Sequence, residues 1–141
     1  MTNFQYTESQ AYSLNSPLRR QKLTPQWIRR LRARKYVQRA NAAREDHSWP
    51  KAALSYRDAL RYVPQRYDLW VQYGHALKET GLLIDAEAAY RHALEINPQA
   101  PDTYLQIGHV LKLQSRHHAA RNAYLRAYEL DPHLPGLAAE L

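Results

Sequence analysis

Histidine is the residue type in this 141-residue chain that could most readily support metal or acid–base chemistry. Adjacent histidines such as His117 and His118 point about 100° apart on a helix, so they do not share an ion. There is no HExxH motif, no His-x₃-His pair on one face and no Ser-His-Asp or paired-carboxylate arrangement. With no cysteine, thiol catalysis and cysteine zinc sites are excluded. We therefore expect no metal, no cofactor and no enzymatic activity. The other histidines are His47, His75, His92, His109 and His133.

Uncharged polar side chains recur at a fixed interval and suggest a different chemistry, the binding of a peptide backbone. One equally spaced series is Gln38, Gln72 and Gln106. A second series, three positions further along the same helical face, is Asn41, His75 and His109. Amide side chains both donate and accept, which suits the alternating N–H and C=O groups of an extended peptide. The alternative is that these six are solvated polar residues on an exposed helix face.

The interval between these glutamines is the length of an internal repeat. Residues 67–100 align with residues 101–134 without insertion, and a more diverged copy covers residues 33–66. Each copy places a small residue on a first helix, a tyrosine on a second helix and a proline after it. The matched residues include Gly74 with Gly108, Tyr90 with Tyr124 and Pro98 with Pro132, and the first copy keeps Ala40, Tyr56 and Pro64. This pattern resembles the tetratricopeptide repeat, a unit of two antiparallel helices.

The resemblance implies an all-α fold, a right-handed superhelical solenoid of antiparallel helix pairs whose first helices line a concave groove. A helix pair of this kind cannot bury its apolar face alone, so neighbouring pairs must stack. The low content of β-branched residues agrees with a helical chain. We predict helices over residues 25–46, 50–63, 68–80, 84–97, 102–114 and 117–130. The solenoid domain is predicted to span residues 25–134.

The family resemblance also implies a function, since tetratricopeptide arrays generally hold a peptide or partner protein in the groove. The glutamine series is similar to the asparagine ladder of eukaryotic O-linked N-acetylglucosamine transferase. The carboxylate clamp of chaperone-binding repeats is not expected, because Val37, Leu105 and Gln106 offer no charge at its cationic positions. The repeats are also loosely like those preceding bacterial glycosyltransferase domains. An alternative function is therefore to recruit substrate as the N-terminal part of a larger enzyme.

Positive charge is concentrated at the start of the chain. Residues 1–44 contain ten Lys or Arg and one acid, Glu8. We expect residues 1–24 to form a disordered or loosely attached tail, because they are polar and show no apolar period. Residues 19–44 could tether the chain to nucleic acid or an anionic membrane. Alternatively, an apolar stripe with Trp27 and Leu31 covers the end of the solenoid, and the arginines keep that end soluble.

The other end of the sequence restarts the repeat, since residues 135–141 resemble the start of a further first helix. This segment is too short to form a stable helix unaided. We therefore expect the chain to be cut from a longer protein and to self-associate, as a homodimer, through an uncapped end. No apolar run is long enough to span a bilayer, and no signal peptide is found, so a cytoplasmic location is expected. The candidate self-association residues are Tyr124, Leu125, Tyr128 and Leu130.

Overall fold

Six helices follow one another along residues 24–141, the part of the chain that the computed structural model describes. They are α1 Gln26–Glu45, α2 Trp49–Tyr62, α3 Tyr67–Glu79, α4 Leu83–Ile96, α5 Pro101–Leu113 and α6 His117–Leu130. Their bounds lie within one residue of the predicted ones, and residues 24–141 contain no strand. The all-α class is therefore confirmed. The predicted tail falls, apart from Thr24, outside the described residues.

Consecutive helices pair as α1–α2, α3–α4 and α5–α6, and the pairs stack through α2 against α3 and α4 against α5. Alanines on the second helices make this close stacking possible, because their side chains add little width. The buried ones are Ala52, Ala59, Ala86, Ala93, Ala120 and Ala127. A single buried cluster runs through all three pairs. The chain is thus a helical-repeat solenoid.

Within each of the last two pairs, the small residue of the first helix lies against the tyrosine of the second. A Cβ atom added to Gly74 would lie 2.8 Å from a ring carbon of Tyr90. The equivalent contact of Gly108 with Tyr124 is tighter still. Both tyrosine rings are buried. The repeat pattern of small residue and tyrosine is therefore a packing requirement, since a larger side chain would occupy the space of the ring.

The turn between the two helices of each pair contains one residue in the left-handed region. Its φ is 55° at His47, 86° at Gly81 and 60° at Ser115. At each turn the next backbone N–H donates to the carbonyl five residues earlier, at 2.8–3.0 Å, as in a Schellman motif. Glycine adopts this conformation without steric cost, whereas other residues are strained. Two of the three turns therefore contain a strained residue.

We expect Ser115→Gly to stabilise the protein by about 0.5–1 kcal/mol, since it removes the left-handed strain from an exposed residue. The measurement is the midpoint of urea unfolding. The matched control is Gly81→Ala, whose added Cβ meets no atom within 4 Å, so that any loss comes from the backbone. A lower midpoint for Ser115→Gly would contradict the strain at this turn.

The segment after α6 covers part of the solenoid end. Leu134 and Leu137 are buried in the same cluster as Tyr124, which is only 3 % exposed. The candidate self-association residue Tyr124 is therefore not exposed at this end, because this tyrosine packs inward against Gly108. Leu125 and Tyr128 are 42 % and 46 % exposed, and Leu130 is half-buried. Self-association through this end stays a prediction.

The first helix extends beyond the repeat. Helices α3 and α5 begin at Tyr67 and Pro101, and the same register would begin α1 near residue 33. Residues 26–32 are thus an N-terminal extension of about two helical turns. Trp27 is 67 % exposed and Leu31 is 61 % exposed on this extension. Trp27 and Leu31 therefore do not cover the end of the solenoid as one interpretation proposed, since most of their surface is exposed.

Candidate peptide-binding face

Side chains of successive first helices bridge one another at equivalent positions. Arg44 donates from Nη1 to the amide oxygen of Gln72 at 3.0 Å. One repeat later, Lys78 donates from Nζ to the amide oxygen of Gln106 at 3.1 Å. The donors are one repeat apart, and so are the acceptors. The two glutamines are half-buried along this line. We call the line the amide–cation row.

The row continues into the last residues of the chain. Lys112 donates from Nζ to a carboxylate oxygen of Glu140 at 2.8 Å. Lys112 and Glu140 each lie one full repeat beyond Lys78 and Gln106, so the third bridge keeps the register of the second. Hydrogen bonding to this charged lysine lowers the pKa of Glu140. Within residues 135–141, Glu140 therefore takes the position that the first helix of a further repeat would give to the residue equivalent to Gln106.

The cations of the row were not identified from the sequence. Arg44, Lys78 and Lys112 share the interval that identified the glutamines, so the signal was present. It was obscured because lysine and arginine are common on exposed helix faces. The structure changes the expected chemistry, since the oxygens of Gln72 and Gln106 are already engaged by cations. The row offers amide N–H groups and positive charge, rather than uncharged groups alone.

The member of the glutamine series in the first repeat is placed differently. Gln38 is exposed and lines a cavity beside α1, next to Val37. The bridges described within residues 24–141 reach Gln72 and Gln106 but not Gln38. The three glutamines thus share one helical register but not one environment.

The second polar series turns inward. Asn41 accepts a hydrogen bond from the hydroxyl of Tyr56 at 2.8 Å. His75 meets the ring of Trp49 edge-on, with centroids 5.4 Å apart. His109 packs edge-on against Tyr124 at 5.7 Å. All three are half-buried. Asn41, His75 and His109 therefore contribute to the packing of first helices against second helices, beneath the more exposed side chains of this face.

Burial favours the neutral forms of His75, His109 and Lys78. It lowers the pKa of His75, and the charge of Lys78 lowers it further. It also lowers the pKa of His109, which the nearby carboxylate of Glu140 partly opposes. The pKa of Lys78 itself is lowered by burial. Lys78 is thus a partly desolvated cation whose described hydrogen-bond partner is a neutral amide.

A cavity of about 470 Å³ opens at the third bridge. Its walls include Lys78, His109, Lys112 and Glu140. Glu140 accepts a hydrogen bond from Lys112 and lies 3.6 Å from Nε2 of His109, while Lys78 lines the same cavity. Such a site can receive peptide carbonyl or carboxylate groups, because ammonium groups are donors only.

Two findings on residues 24–141 concern metal ligands and membrane-spanning helices. In this range no three His, Asp or Glu residues come together as metal ligands would. None of its helices has both the length and the apolar surface that crossing a bilayer requires.

Comparison with known families identifies the repeat. The family model described as the tetratricopeptide repeat matches residues 67–100 and 101–134. These bounds are the ones that the internal alignment gives for the second and third copies. The comparison with curated proteins finds no match.

Several solved structures share the fold. The Arabidopsis OM64 TPR domain superimposes with a TM-score of 0.74 at 20 % identity, covering 79 % of this chain and 93 % of that domain. The first TPR of Spaghetti (RPAP3), bound to the HSP90 peptide SRMEEVD, gives 0.73 at 19 % identity, with coverages of 79 % and 89 %. MamA gives 0.66 at 19 % identity, covering 71 % of this chain and 55 % of MamA. At this identity the likeness concerns the fold.

Proposed function

Residues 67–134 carry two tetratricopeptide repeats, and from that premise we propose that this chain is a protein-interaction scaffold. Its ligand is an extended peptide segment of a partner protein, held along the groove formed by the first helices. The observation that carries the proposal is the amide–cation row, which recurs once per repeat from Arg44 to Glu140. A row of equally spaced donors suits a ligand that is itself periodic, as an extended backbone is.

The chemistry of the row defines what the peptide supplies. Gln72 and Gln106 use their oxygens internally, so their NH₂ groups are the ones available to donate to peptide carbonyls. Lys78 is partly desolvated beside a neutral amide. A partly buried cation gains from a carbonyl or carboxylate ligand, because that ligand replaces the water it has lost. The peptide therefore binds mainly through its acceptors.

The RPAP3 structure, which contains a bound HSP90 peptide, supports a peptide as the kind of partner. Only this kind of partner, and not the HSP90 peptide itself, is proposed for this chain. The residues proposed to contact the peptide here are read from this chain's own face: Gln38, Gln72 and Gln106, with Arg44, Lys78 and Lys112 beside them.

The test uses peptides selected for binding to the full chain from a phage-displayed library of random sequences. The double variant Gln72→Ala/Gln106→Ala is expected to weaken the selected peptides by about 1–3 kcal/mol in total, the scale of two lost hydrogen bonds. Stability should fall by about 0.5–1.5 kcal/mol for each glutamine, because each change removes a hydrogen bond accepted from Arg44 or Lys78. Affinity is measured by isothermal titration calorimetry.

A matched control removes two polar side chains away from the row. Gln99→Ala/Asn122→Ala changes exposed residues that take no part in the described bridges. It should leave the affinity unchanged. Equal affinity of the Gln72→Ala/Gln106→Ala variant and the parent for every selected peptide would show that the row is not the binding face.

A further inference from the structure

Helix α1 carries the largest excess of positive charge among the described helices. From Gln26 to Arg44 the sequence has seven Lys or Arg and no acid. Within residues 24–141, the ion pairs do not include Arg29, Arg30 or Arg34. Arg29 instead donates to the backbone carbonyl of Tyr62 at 3.0 Å, which fixes the extension over the loop between α2 and α3.

A cavity of about 880 Å³ lies between this extension and that loop. Ala33, Val37, Val63 and Pro64 contribute apolar wall, while Arg30 and Arg34 stand at its side. The volume is within the range of sites that bind small ligands or a large side chain. The cavity therefore combines an apolar floor with cations that no described carboxylate neutralises.

We propose that this cavity binds an acidic segment of a partner protein, with one large apolar side chain seated between Val37 and Pro64. Flanking carboxylates of the segment pair with Arg30 and Arg34. The proposal deepens the proposed function and rests on it, since it gives the chemistry of the partner at the N-terminal end of the groove. Exposed Trp27 and Leu31, on the neighbouring face of α1, provide further apolar surface.

Charge complementarity selects this occupant over two others. The chain's own residues 1–23 contain Arg19, Arg20 and Lys22 against one acid, Glu8, so they include no acidic segment that could pair with two arginines. A nucleic acid would satisfy the arginines through its phosphates. It would not need the apolar wall, because phosphate contacts are independent of apolar side chains.

The test measures fluorescence anisotropy of labelled probes on the full chain. The acidic peptide DEDFLEDE is expected to bind and to weaken as salt is added, since its charges lie partly in solvent. The peptide DEDAAEDE has the same charge without the large apolar side chains, and should bind at least about tenfold more weakly. Arg30→Glu/Arg34→Glu should weaken DEDFLEDE at least about tenfold.

A matched control applies the same charge change elsewhere. Lys51→Glu/Arg121→Glu alters two exposed cations away from the cavity and should keep most of the affinity. Circular dichroism confirms that each variant is folded. Equal binding of the two peptides, no binding of either, or equal losses in the two charge variants would overturn the proposal. Tighter, salt-sensitive binding of oligouridylate, lost in Arg30→Glu/Arg34→Glu, would also overturn it in favour of a phosphate-binding surface.

The variant Gln72→Ala/Gln106→Ala separates this proposal from the proposed function. It should bind DEDFLEDE as the parent does, because its changes lie away from the cavity walls. If this variant loses DEDFLEDE while Arg30→Glu/Arg34→Glu retains it, the peptide lies on the amide–cation row. The cavity proposal would then fail, and the proposed function would stand.

Discussion

Replacing Gly108 with alanine is expected to destabilise the protein by about 2–3 kcal/mol, because the added Cβ would lie far inside the van der Waals contact distance of the Tyr124 ring. Alanine normally stabilises a helix interior by about 1 kcal/mol over glycine. Here the ring is buried and cannot move into solvent. Overpacking of this kind costs about 1–3 kcal/mol or more, so it outweighs the gain in helix propensity. Chemical denaturation followed by circular dichroism gives the value.

Gly74→Ala is the matched comparison. Its Cβ would lie 2.8 Å from a ring carbon of Tyr90, so a smaller ring movement suffices and the loss should be smaller. The double variant Gly108→Ala/Tyr124→Leu should recover part of the loss, because it removes the ring atoms in conflict. A stabilising effect of Gly108→Ala alone would show that helix propensity, and not ring packing, decides this position.

Replacing Leu137 with alanine is expected to cost about 2–4 kcal/mol, although the residue lies in a segment without regular helix. Leu137 is 1 % exposed and belongs to the buried cluster that includes Tyr124 and Leu134. The loss combines the transfer of the side chain to water with the cavity left behind. Thermal and urea unfolding of the full chain measure it.

Leu141→Ala is the control, since this leucine is 56 % exposed and its removal should have little effect. Light scattering on the same variants tests the predicted self-association. Loosening the segment by Leu137→Ala exposes more apolar surface and should increase the average mass at high protein concentration. If Leu137→Ala is as stable as the parent, residues 134–141 do not complete the solenoid end.

The candidate face could be predicted only in part from the sequence. The glutamine spacing identified Gln72 and Gln106 correctly as equivalent positions on successive first helices, because a fixed repeat length maps equal offsets onto equal positions. Their engagement by Arg44 and Lys78 could not be predicted, since it depends on how far adjacent repeats rotate and which long side chains then reach across. The inward orientation of His75 and His109 depended on the same geometry.

The sequence by itself determined the helix bounds and the order of the solenoid. Each repeated helix pair contacts only its neighbours, so a local pattern of Gly, Ala, Tyr and Pro specifies nearly all of the packing. Only the tertiary structure decided the packing at the first and last described helices, where the contacts do not follow the repeat pattern. There it buries Leu137 and Tyr124, exposes Trp27 and forms the arginine-lined cavity beside α1. There, the burial of a residue depends on contacts between individual side chains, and the repeat pattern does not specify those contacts.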